Sequence, residues 1–151
     1  MNKLELINSP LETALRIIII LSILHQEIPT LDEIVMLDYY VLHANDFDPV
    51  LESIHPDIPN RENELLIRRK LVIEGLRILE SRSLIKINYT KTGIRYCTNE
   101  LSNQVVKYLE SPYSSKVTRN ISEASTKSFD EIMLSVRNLI TEDSNIWINK
   151  L

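Results

Sequence analysis

The sequence predicts a mainly α-helical protein with a small β-hairpin, and two neighbouring stretches support this prediction. Residues 61–81 repeat apolar side chains at the three- and four-residue spacing of one helix face. Residues 84–98 then switch to two short β-like runs on either side of a turn. Two capped helices precede this unit, so the order indicates a winged helix-turn-helix core over residues 1–98. Residues 99–151 are predicted to be a C-terminal helical extension of the same compact unit.

Two capping signals open the first two helices. Ser9-Pro-Leu-Glu supplies a capping hydroxyl, a first-turn proline and an acidic third residue, and it predicts a helix to about Gln26. Pro29 ends that helix, and Thr30-Leu-Asp-Glu opens a second one to about His43. The middle of the first helix is apolar on nearly all sides, which predicts a buried central helix.

A long loop and a short leader accompany these helices. Residues 44–60 exceed the ~4–6 residues of most connections, and long loops of defined composition are often functional. Leu51 and Ile54 are expected to anchor the loop on the core, so we predict an ordered loop rather than a tether. The apolar leader at residues 1–8 is expected to dock on a neighbouring element or a partner.

The long helix has an apolar face and a mixed charged face. Lys70, Glu74 and Arg77 fall on the charged face, where neighbouring opposite charges contribute about 0.2–0.5 kcal/mol per pair. Arg69 is placed on the apolar side, where an unpaired charge would be strongly unfavourable. We therefore predict that Arg69 acts as an internal brace, with Asp38 of the second helix as one possible partner. A ligand-binding role for Arg69 is the alternative.

The hairpin prediction depends on its turn. Thr90-Lys-Thr-Gly separates the runs 84–89 and 94–98, and Gly93 is free to take the positive φ that a tight turn demands. Cys97 in the second run is expected to be a packing residue rather than a nucleophile.

Three further helix starts stand in the last third of the chain. Asn99, Ser111 and Ser128 each occupy a capping position. The last of these helices is predicted to end near Glu142, before a final apolar turn around Trp147. Trp147 is expected either to anchor a partner protein or to dock on the chain's own core.

Basic charge is concentrated in one part of an acidic chain. The 151 residues carry a net charge of −4, and the pI is about 5.4. Residues 61–95 hold nine Lys and Arg against four Asp and Glu, whereas the remainder holds eight against seventeen. Such a stripe is typical of a phosphate-binding footprint, with a solvated surface or an acidic protein partner as alternatives. The candidate partner- or DNA-facing residues are Lys70, Arg77, Lys86, Lys91 and Arg95.

Motifs and composition argue against an enzyme. The sequence lacks a P-loop, a nucleophile elbow, a zinc-peptidase motif and a dinucleotide fingerprint. None of its three histidines has metal-ligand spacing with another histidine or with Cys97. The best metal candidate joins His43 to Asp46 and Asp48, but ordinary loop hydrogen bonding is the favoured interpretation. We expect no metal, no cofactor and no catalysis. The alternative, a metal-dependent nuclease that uses Asp46, Asp48 and His55, would require divalent-metal cleavage of DNA.

Targeting features are also lacking in the sequence. The apolar run at residues 17–24 is too short for a membrane span, which needs ~20 apolar residues. It is not followed by the small-residue cleavage site of a secretory signal. A single cysteine excludes an internal disulfide and fits a reducing compartment. We therefore expect a cytoplasmic protein without a membrane partner.

Several short motifs occur in an order and spacing that resemble a known family. That family is the middle component of the ABC-three-component systems, which includes the small subunit of Lamassu-type anti-phage defence. The similarity covers residues 8–113, and one departure is Ser83, where the family more usually has glycine. The motifs are Asn8-Ser-Pro-Leu-Glu, Leu15-Arg16, Leu37-Asp-Tyr, His43, Ile54-His-Pro, Glu64-Leu-Leu-Ile-Arg-Arg, Gly75, Gly93-Ile-Arg-Tyr and Ser111-Pro-Tyr.

The resemblance implies a non-catalytic adaptor subunit. Such a subunit is expected to bind an SMC- or Rad50-like ATPase and to bridge it to a nuclease-type effector in defence against phages or plasmids. Double-stranded DNA would then be contacted mostly through the complex. The resemblance also implies a structural or interface role for Pro10, Arg16, Asp38, Tyr39, His43, His55, Arg68, Arg69, Tyr96 and Tyr113.

A free-standing winged-helix DNA-binding transcription regulator is the alternative from another class. The predicted fold favours it. The acidic pI and the position of Glu74 on the exposed helix face argue against it, because a carboxylate repels DNA phosphates. A gel shift with the chain's own promoter discriminates between the two.

Overall fold

The computed structural model describes residues 9–55 and 61–149, with side chains described for residues 9–55 and 63–142. Within these residues the chain forms six α-helices and a two-stranded antiparallel hairpin, which confirms the mainly α-helical class. Assignment to the winged helix-turn-helix class and the division at residue 98 stay predictions. The elements are α1 (Pro10–Ile23), α2 (Leu31–Leu42), a 3-10 turn (Ala44–Asp46), α3 (Arg61–Ser81), β1 (Lys86–Thr90), β2 (Gly93–Cys97), α4 (Glu100–Lys107), α5 (Pro112–Ala124) and α6 (Phe129–Asn149).

Helix α1 is the centre of the core, as its apolar run predicts. Five successive side chains, residues 17–21, are each at most 2% exposed. Burying an aliphatic side chain of this size contributes roughly 1.5–3 kcal/mol. Helix α1 packs against α3 and α5, and α2 packs against α3 and α6. In the described part of the chain, no helix combines the length and apolar character needed to cross a membrane.

Helices α1 and α3 cross closely at Gly75. A Cβ added there would lie 3.1 Å from the backbone nitrogen of Ala14 and 3.2 Å from Ile17 Cδ1. A side chain at this position would press on the backbone of α1, which accounts for a glycine in the interior of a long helix.

The first two helices begin at their predicted caps. Ser9 Oγ accepts a hydrogen bond from the backbone N–H of Glu12 at 3.1 Å. Thr30 and Glu33 form a reciprocal capping box that opens α2. Helix α1 ends at Ile23, earlier than predicted, because the next residue leaves helical geometry at φ −91°, ψ 41°.

The hairpin follows α3 and is fastened to the turn between α1 and α2. Thr90 pairs with Gly93 at its tip, and Gly93 takes the predicted positive φ, +123°. The backbone N–H of Tyr96 donates to Pro29 O at 3.0 Å. The hairpin is therefore held beside the helices rather than projecting freely.

The described part of the long loop, residues 44–55, is packed as predicted. Leu51 is 2% exposed and Ile54 is partly buried against the core. The backbone N–H groups of Ile54 and His55 both donate to Leu42 O, at 2.9 and 3.0 Å. The loop thus returns to the end of α2 and places His55 beside it.

Helix α6 runs without interruption to Asn149, so the prediction of an end near Glu142 and a separate apolar turn is wrong. The chain there has no glycine or proline to end a helix. The side chain of Trp147 lies outside the described residues, as do residues 1–8 and 56–60. Predictions for the leader, the proline-rich end of the loop and the tryptophan stay predictions.

Candidate functional site

A group of charged and polar side chains is enclosed between α1, α2, α3, α5 and the end of the long loop. Seven of its eight members are at most 5% exposed, and the eighth, Tyr113, is half-buried. We call this group the buried cluster. Its members are Thr13, Arg16, Asp38, His43, His55, Glu64, Arg68 and Tyr113.

Arg16 lies at the centre of the buried cluster and uses its whole guanidinium. Its Nε and Nη2 donate to the two carboxylate oxygens of Asp38 at 2.7 and 3.2 Å. Nη2 also donates to Thr13 Oγ1 at 3.1 Å, and Nη1 donates to Tyr113 OH at 2.9 Å. This bidentate ion pair joins α1 to α2, and the hydrogen bond to Tyr113 connects α1 to α5.

The electrostatic environment favours the charged form of Arg16. Burial alone lowers the pKa of Arg16, but the charge of Asp38 and the hydrogen bonds to Asp38 and Tyr113 raise it above its usual value. Burial raises the pKa of Tyr113 against the opposing charge of Arg16, so the tyrosine stays a neutral phenol. The cation of Arg16 is therefore paired with the carboxylate of Asp38 across the interface between α1 and α2.

Arg68 interacts electrostatically with both carboxylates of the buried cluster. Burial and the nearby charge of Arg16 lower its pKa, and the charges of Asp38 and Glu64 oppose that shift. Two buried arginines thus face two buried carboxylates, so the cluster is balanced in charge when its histidines are neutral.

Glu64 interacts with Arg68 and with two histidines. His43 Nε2 lies 2.5 Å from Glu64 Oε1, and His55 Nδ1 lies 3.9 Å from the same oxygen. Burial by itself raises the pKa of Glu64, but the hydrogen bonds from both histidines and the charges of His43 and Arg68 lower it to about 2. Glu64 is therefore a carboxylate at neutral pH.

The structure corrects the prediction for the two adjacent arginines. Arg69 lies on the exposed side of α3 and pairs with Asp32, so the predicted brace between Arg69 and Asp38 is wrong. Arg68 is the buried one, and Asp38 receives Arg16 instead. One residue turns a helix by about 100°, so an error of one position exchanges the buried and exposed faces.

The residues of the metal site predicted from the sequence also have different neighbours than expected. His43 lies beside His55 and Glu64. Among the described residues, these three side chains lie close enough to share a metal ion, and Asp46 and Asp48 do not belong to the group. Asp48 Oδ1 instead accepts the backbone N–H of the residue two positions on, as a turn residue does.

Three further motif residues have structural positions. Pro10 is the first residue of α1. Tyr39 is fully buried, with its ring centroid 4.7 Å from that of His43. Tyr96 is half-buried on β2 and packs against the core, and burial raises its pKa.

The candidate partner-facing residues divide into four exposed cations and one internal brace. Arg95 donates from Nη1 to Ile28 O at 2.9 Å and lies 3.6 Å from Glu33 Oε1, so it helps to fasten the hairpin. The four exposed cations lie on α3 and the hairpin. We call them the basic face: Lys70, Arg77, Lys86 and Lys91.

A groove lies beside the basic face, between α2, α3 and the hairpin. It encloses about 310 Å³ and has an apolar floor with Arg77 and Glu80 at its edge. Large apolar side chains are exposed nearby, with Tyr89 80% and Ile94 47% exposed on the hairpin. Its apolar lining residues are Leu31, Ile73, Leu76, Ile87 and Tyr96.

Sequence reasoning singled out six of the eight members of the buried cluster and missed Glu64 and Thr13. Glu64 stands four residues before Arg68, and both continue the buried stripe of α3 toward its start. A charged pair in phase with an apolar stripe was the available indication. Nothing in the sequence around Glu64 indicated that it pairs with two histidines that are distant along the chain.

The arrangement just described is that of a helical subunit whose buried charges are engaged with one another. Comparison with family models places the chain among the middle components of ABC-three-component (ABC-3C) systems. It belongs to the family of ABC-3C system Middle Component 2, whose model matches residues 6–150. No curated protein and no solved structure matches the chain significantly.

Proposed function

We propose that this chain is a non-catalytic adaptor that binds an SMC- or Rad50-like ATPase and connects it to a nuclease-type effector, as in Lamassu-type defence. Membership of the Middle Component 2 family over residues 6–150 is the observation that carries the proposal. A middle component of a multi-subunit system needs surfaces for partners rather than a reaction centre of its own.

The buried cluster supports a scaffolding role. Its charges are at most 5% exposed and bond to one another across four helices and a loop. Groups held in this way set the relative positions of the elements and are closed to a large substrate. We assign the structural role of the motif residues to Arg16, Asp38, His43, His55, Arg68 and Tyr113.

The basic face and the adjoining groove are the proposed docking surface. Exposed aromatic and aliphatic side chains beside cations are typical of protein interfaces, where apolar contacts supply affinity and charges steer association. Leu66 and Ile67 extend the apolar character along α3, at 67% and 54% exposed. An acidic partner surface with apolar side chains at its centre fits this surface.

Direct contact with double-stranded DNA is a secondary part of the proposal and belongs to the hairpin. Lys86 and Lys91 are exposed there, whereas Arg95 is engaged in internal bonds. Two or three cations give a weak phosphate contact whose strength falls steeply with salt. We therefore expect the assembled complex, rather than this chain alone, to make most of the contacts with DNA.

Charge reversal tests the docking surface. We expect Arg77→Glu, Lys86→Glu and Lys91→Glu together to weaken binding to the co-expressed ATPase by about tenfold or more, because like charges at an interface repel. The measurement is the dissociation constant from biolayer interferometry at two salt concentrations.

The matched control reverses three exposed cations on other helices, Lys107, Arg119 and Arg137. It changes net charge equally and should leave the dissociation constant within about threefold of the unmodified chain. Equal weakening by both triple variants would show that net charge alone acts and would remove the basic face from the interface.

The free-standing transcription regulator remains the second candidate because the hairpin carries exposed cations after a long helix. Specific, salt-resistant retardation of the chain's own promoter by the isolated chain would favour it over the adaptor. Retardation that disappears at physiological salt and shows no sequence preference supports the adaptor.

A further inference from the structure

Three side chains at one end of the buried cluster come from distant parts of the sequence. His43 ends α2, His55 lies at the end of the described loop, and Glu64 stands in the first turns of α3. One nitrogen or oxygen atom from each lies within 4.8 Å of the corresponding atoms of the other two. Among the described side chains, those of residues 9–55 and 63–142, this is the group of His, Cys, Asp and Glu side chains that meets such spacing.

The same three side chains hold buried polar atoms that are not hydrogen-bonded. His43 Nδ1, His55 Nε2 and Glu64 Oε2 each have no hydrogen-bond partner among the described residues. More than nine in ten buried polar atoms in proteins are satisfied, so three orphans in one small group need an explanation. A cation that Glu64 binds through both carboxylate oxygens explains the unpartnered Glu64 Oε2, whereas the two unpartnered nitrogens are on the ring sides turned away from Glu64.

We propose that His43, His55 and Glu64 form a binding site for a divalent transition metal of the Zn²⁺ class. Imidazole nitrogen and carboxylate oxygen are ordinary ligands of such ions, at about 2.0–2.2 Å from the metal. Ligand atoms at that distance in a tetrahedron stand roughly 3.4 Å apart. The observed separations of 2.5 and 3.9 Å from Glu64 Oε1 bracket this value, so small side-chain rotations close the site.

The chemistry of the surroundings selects the kind of cation. The group offers two imidazole nitrogens and one carboxylate, whereas Mg²⁺ and Ca²⁺ prefer oxygen ligands and several carboxylates. The charge of Arg68 near Glu64 further disfavours ions that bind by charge alone. On binding at His43 Nε2, the metal takes the place of the proton on that nitrogen, and the proton moves by way of solvent to His43 Nδ1, so the ring keeps one N–H.

The site would act as a clamp rather than as a reaction centre. It joins the end of α2, the loop and the start of α3, while its ligands are at most 5% exposed. Metal binding would therefore fix the loop on the core and stabilise the whole chain, because a ligand that binds only the folded state raises its stability. This inference is independent of the proposed adaptor function, since it is tested on the isolated chain.

The experiment uses the full chain stripped with a chelator, desalted and titrated with Zn²⁺ alone. We expect one tightly bound Zn²⁺ per chain by mass spectrometry of the desalted protein. Thermal unfolding should rise by about 5–10 °C at a hundredfold excess of Zn²⁺ over Kd. Co²⁺ in place of Zn²⁺ should give the visible absorption of a four- or five-coordinate ion, and Mg²⁺ should have neither effect.

Three single substitutions make the test specific. His55→Gln and Glu64→Gln should each weaken Zn²⁺ binding by about a hundredfold or more, because each removes a direct ligand. His25→Gln is the matched control, because His25 is exposed and lies outside the group. It should bind Zn²⁺ as the unmodified chain does.

Circular dichroism checks that each variant is folded, and His55→Gln serves if Glu64→Gln does not fold. Substoichiometric Zn²⁺ on the unmodified chain would overturn the proposal. So would equal affinity in His55→Gln, or a Co²⁺ spectrum unchanged by that substitution. Loss of binding in His25→Gln alone would place the ion elsewhere and overturn it as well.

Discussion

Arg16 is the residue on which the packing of the N-terminal helices depends most directly. It is fully buried, and it meets the carboxylate of Asp38, the hydroxyl of Thr13 and the phenol of Tyr113. A buried ion pair adds little net stability compared with apolar packing, but removing one partner leaves an uncompensated charge. The importance of such a pair is therefore revealed by single substitutions.

Arg16→Met should lower the free energy of unfolding by about 3–5 kcal/mol, because it leaves Asp38 buried without its cation. Urea denaturation followed by circular dichroism measures the change. Arg69→Met is the matched control, since Arg69 pairs with Asp32 in an exposed position and should lose at most about 1 kcal/mol. Similar losses in the two variants would contradict the assigned difference between the buried and exposed pairs.

Tyr113→Phe tests the link between α5 and the N-terminal helices. It removes the acceptor that lies 2.9 Å from Arg16 Nη1 while keeping the ring. We expect a loss of about 1–3 kcal/mol in the free energy of unfolding, because a buried guanidinium N–H loses its partner. Tyr108→Phe, on an 80% exposed tyrosine, should change stability by less than about 0.5 kcal/mol. An unchanged unfolding midpoint in Tyr113→Phe would show that this hydrogen bond does not hold α5 in place.

At the level of elements, the end of α3 directs the chain into the hairpin. Ser83 has a positive φ of +57°, and the N–H of Leu84 donates back to Leu79 O at 2.8 Å. This is the left-handed helix end that glycine fills most readily. Ser83 O also accepts a hydrogen bond from Asn99 Nδ2 at 2.7 Å, which connects the helix end to the start of α4.

Ser83→Gly should stabilise the protein by about 0.5–1 kcal/mol, because a side chain at positive φ is strained and glycine is not. Differential scanning calorimetry should show a rise of roughly 2–4 °C in Tm. Ser81→Gly, two residues earlier in helical conformation, should have the opposite sign, since glycine weakens helices. A lower Tm for Ser83→Gly would mean that the serine makes a contact that outweighs its strain.

The starts of the helices, their caps and the hairpin were predictable because each depends on neighbours in sequence, whereas the ends of α1 and α6 were misplaced. The capping box at Thr30, the long helix through Ser81 and the turn at Gly93 all follow from local propensity. The buried cluster was predictable only in part. Glu64 contacts His43 and His55 only through tertiary packing. To predict that Arg68 rather than Arg69 is buried, the rotation of the helix must be known to within one residue.

At the scale of the whole molecule, the interior and the surface have separate roles. The interior holds charges that bond to each other and fix α1, α2, α3 and α5 together. The surface presents the basic face and an apolar groove on one side of α3 and the hairpin. We propose that this member of an ABC-three-component system combines a buried frame with a docking surface.

Co-expression with the products of the adjacent open reading frames tests the adaptor account most directly. Size-exclusion chromatography with light scattering measures whether this chain travels with an SMC- or Rad50-like ATPase and an effector. The account predicts one peak that contains all three proteins, and loss of the effector from the ATPase when this chain is omitted. Elution of this chain as a separate species, with the ATPase and effector joined in its absence, would contradict the account.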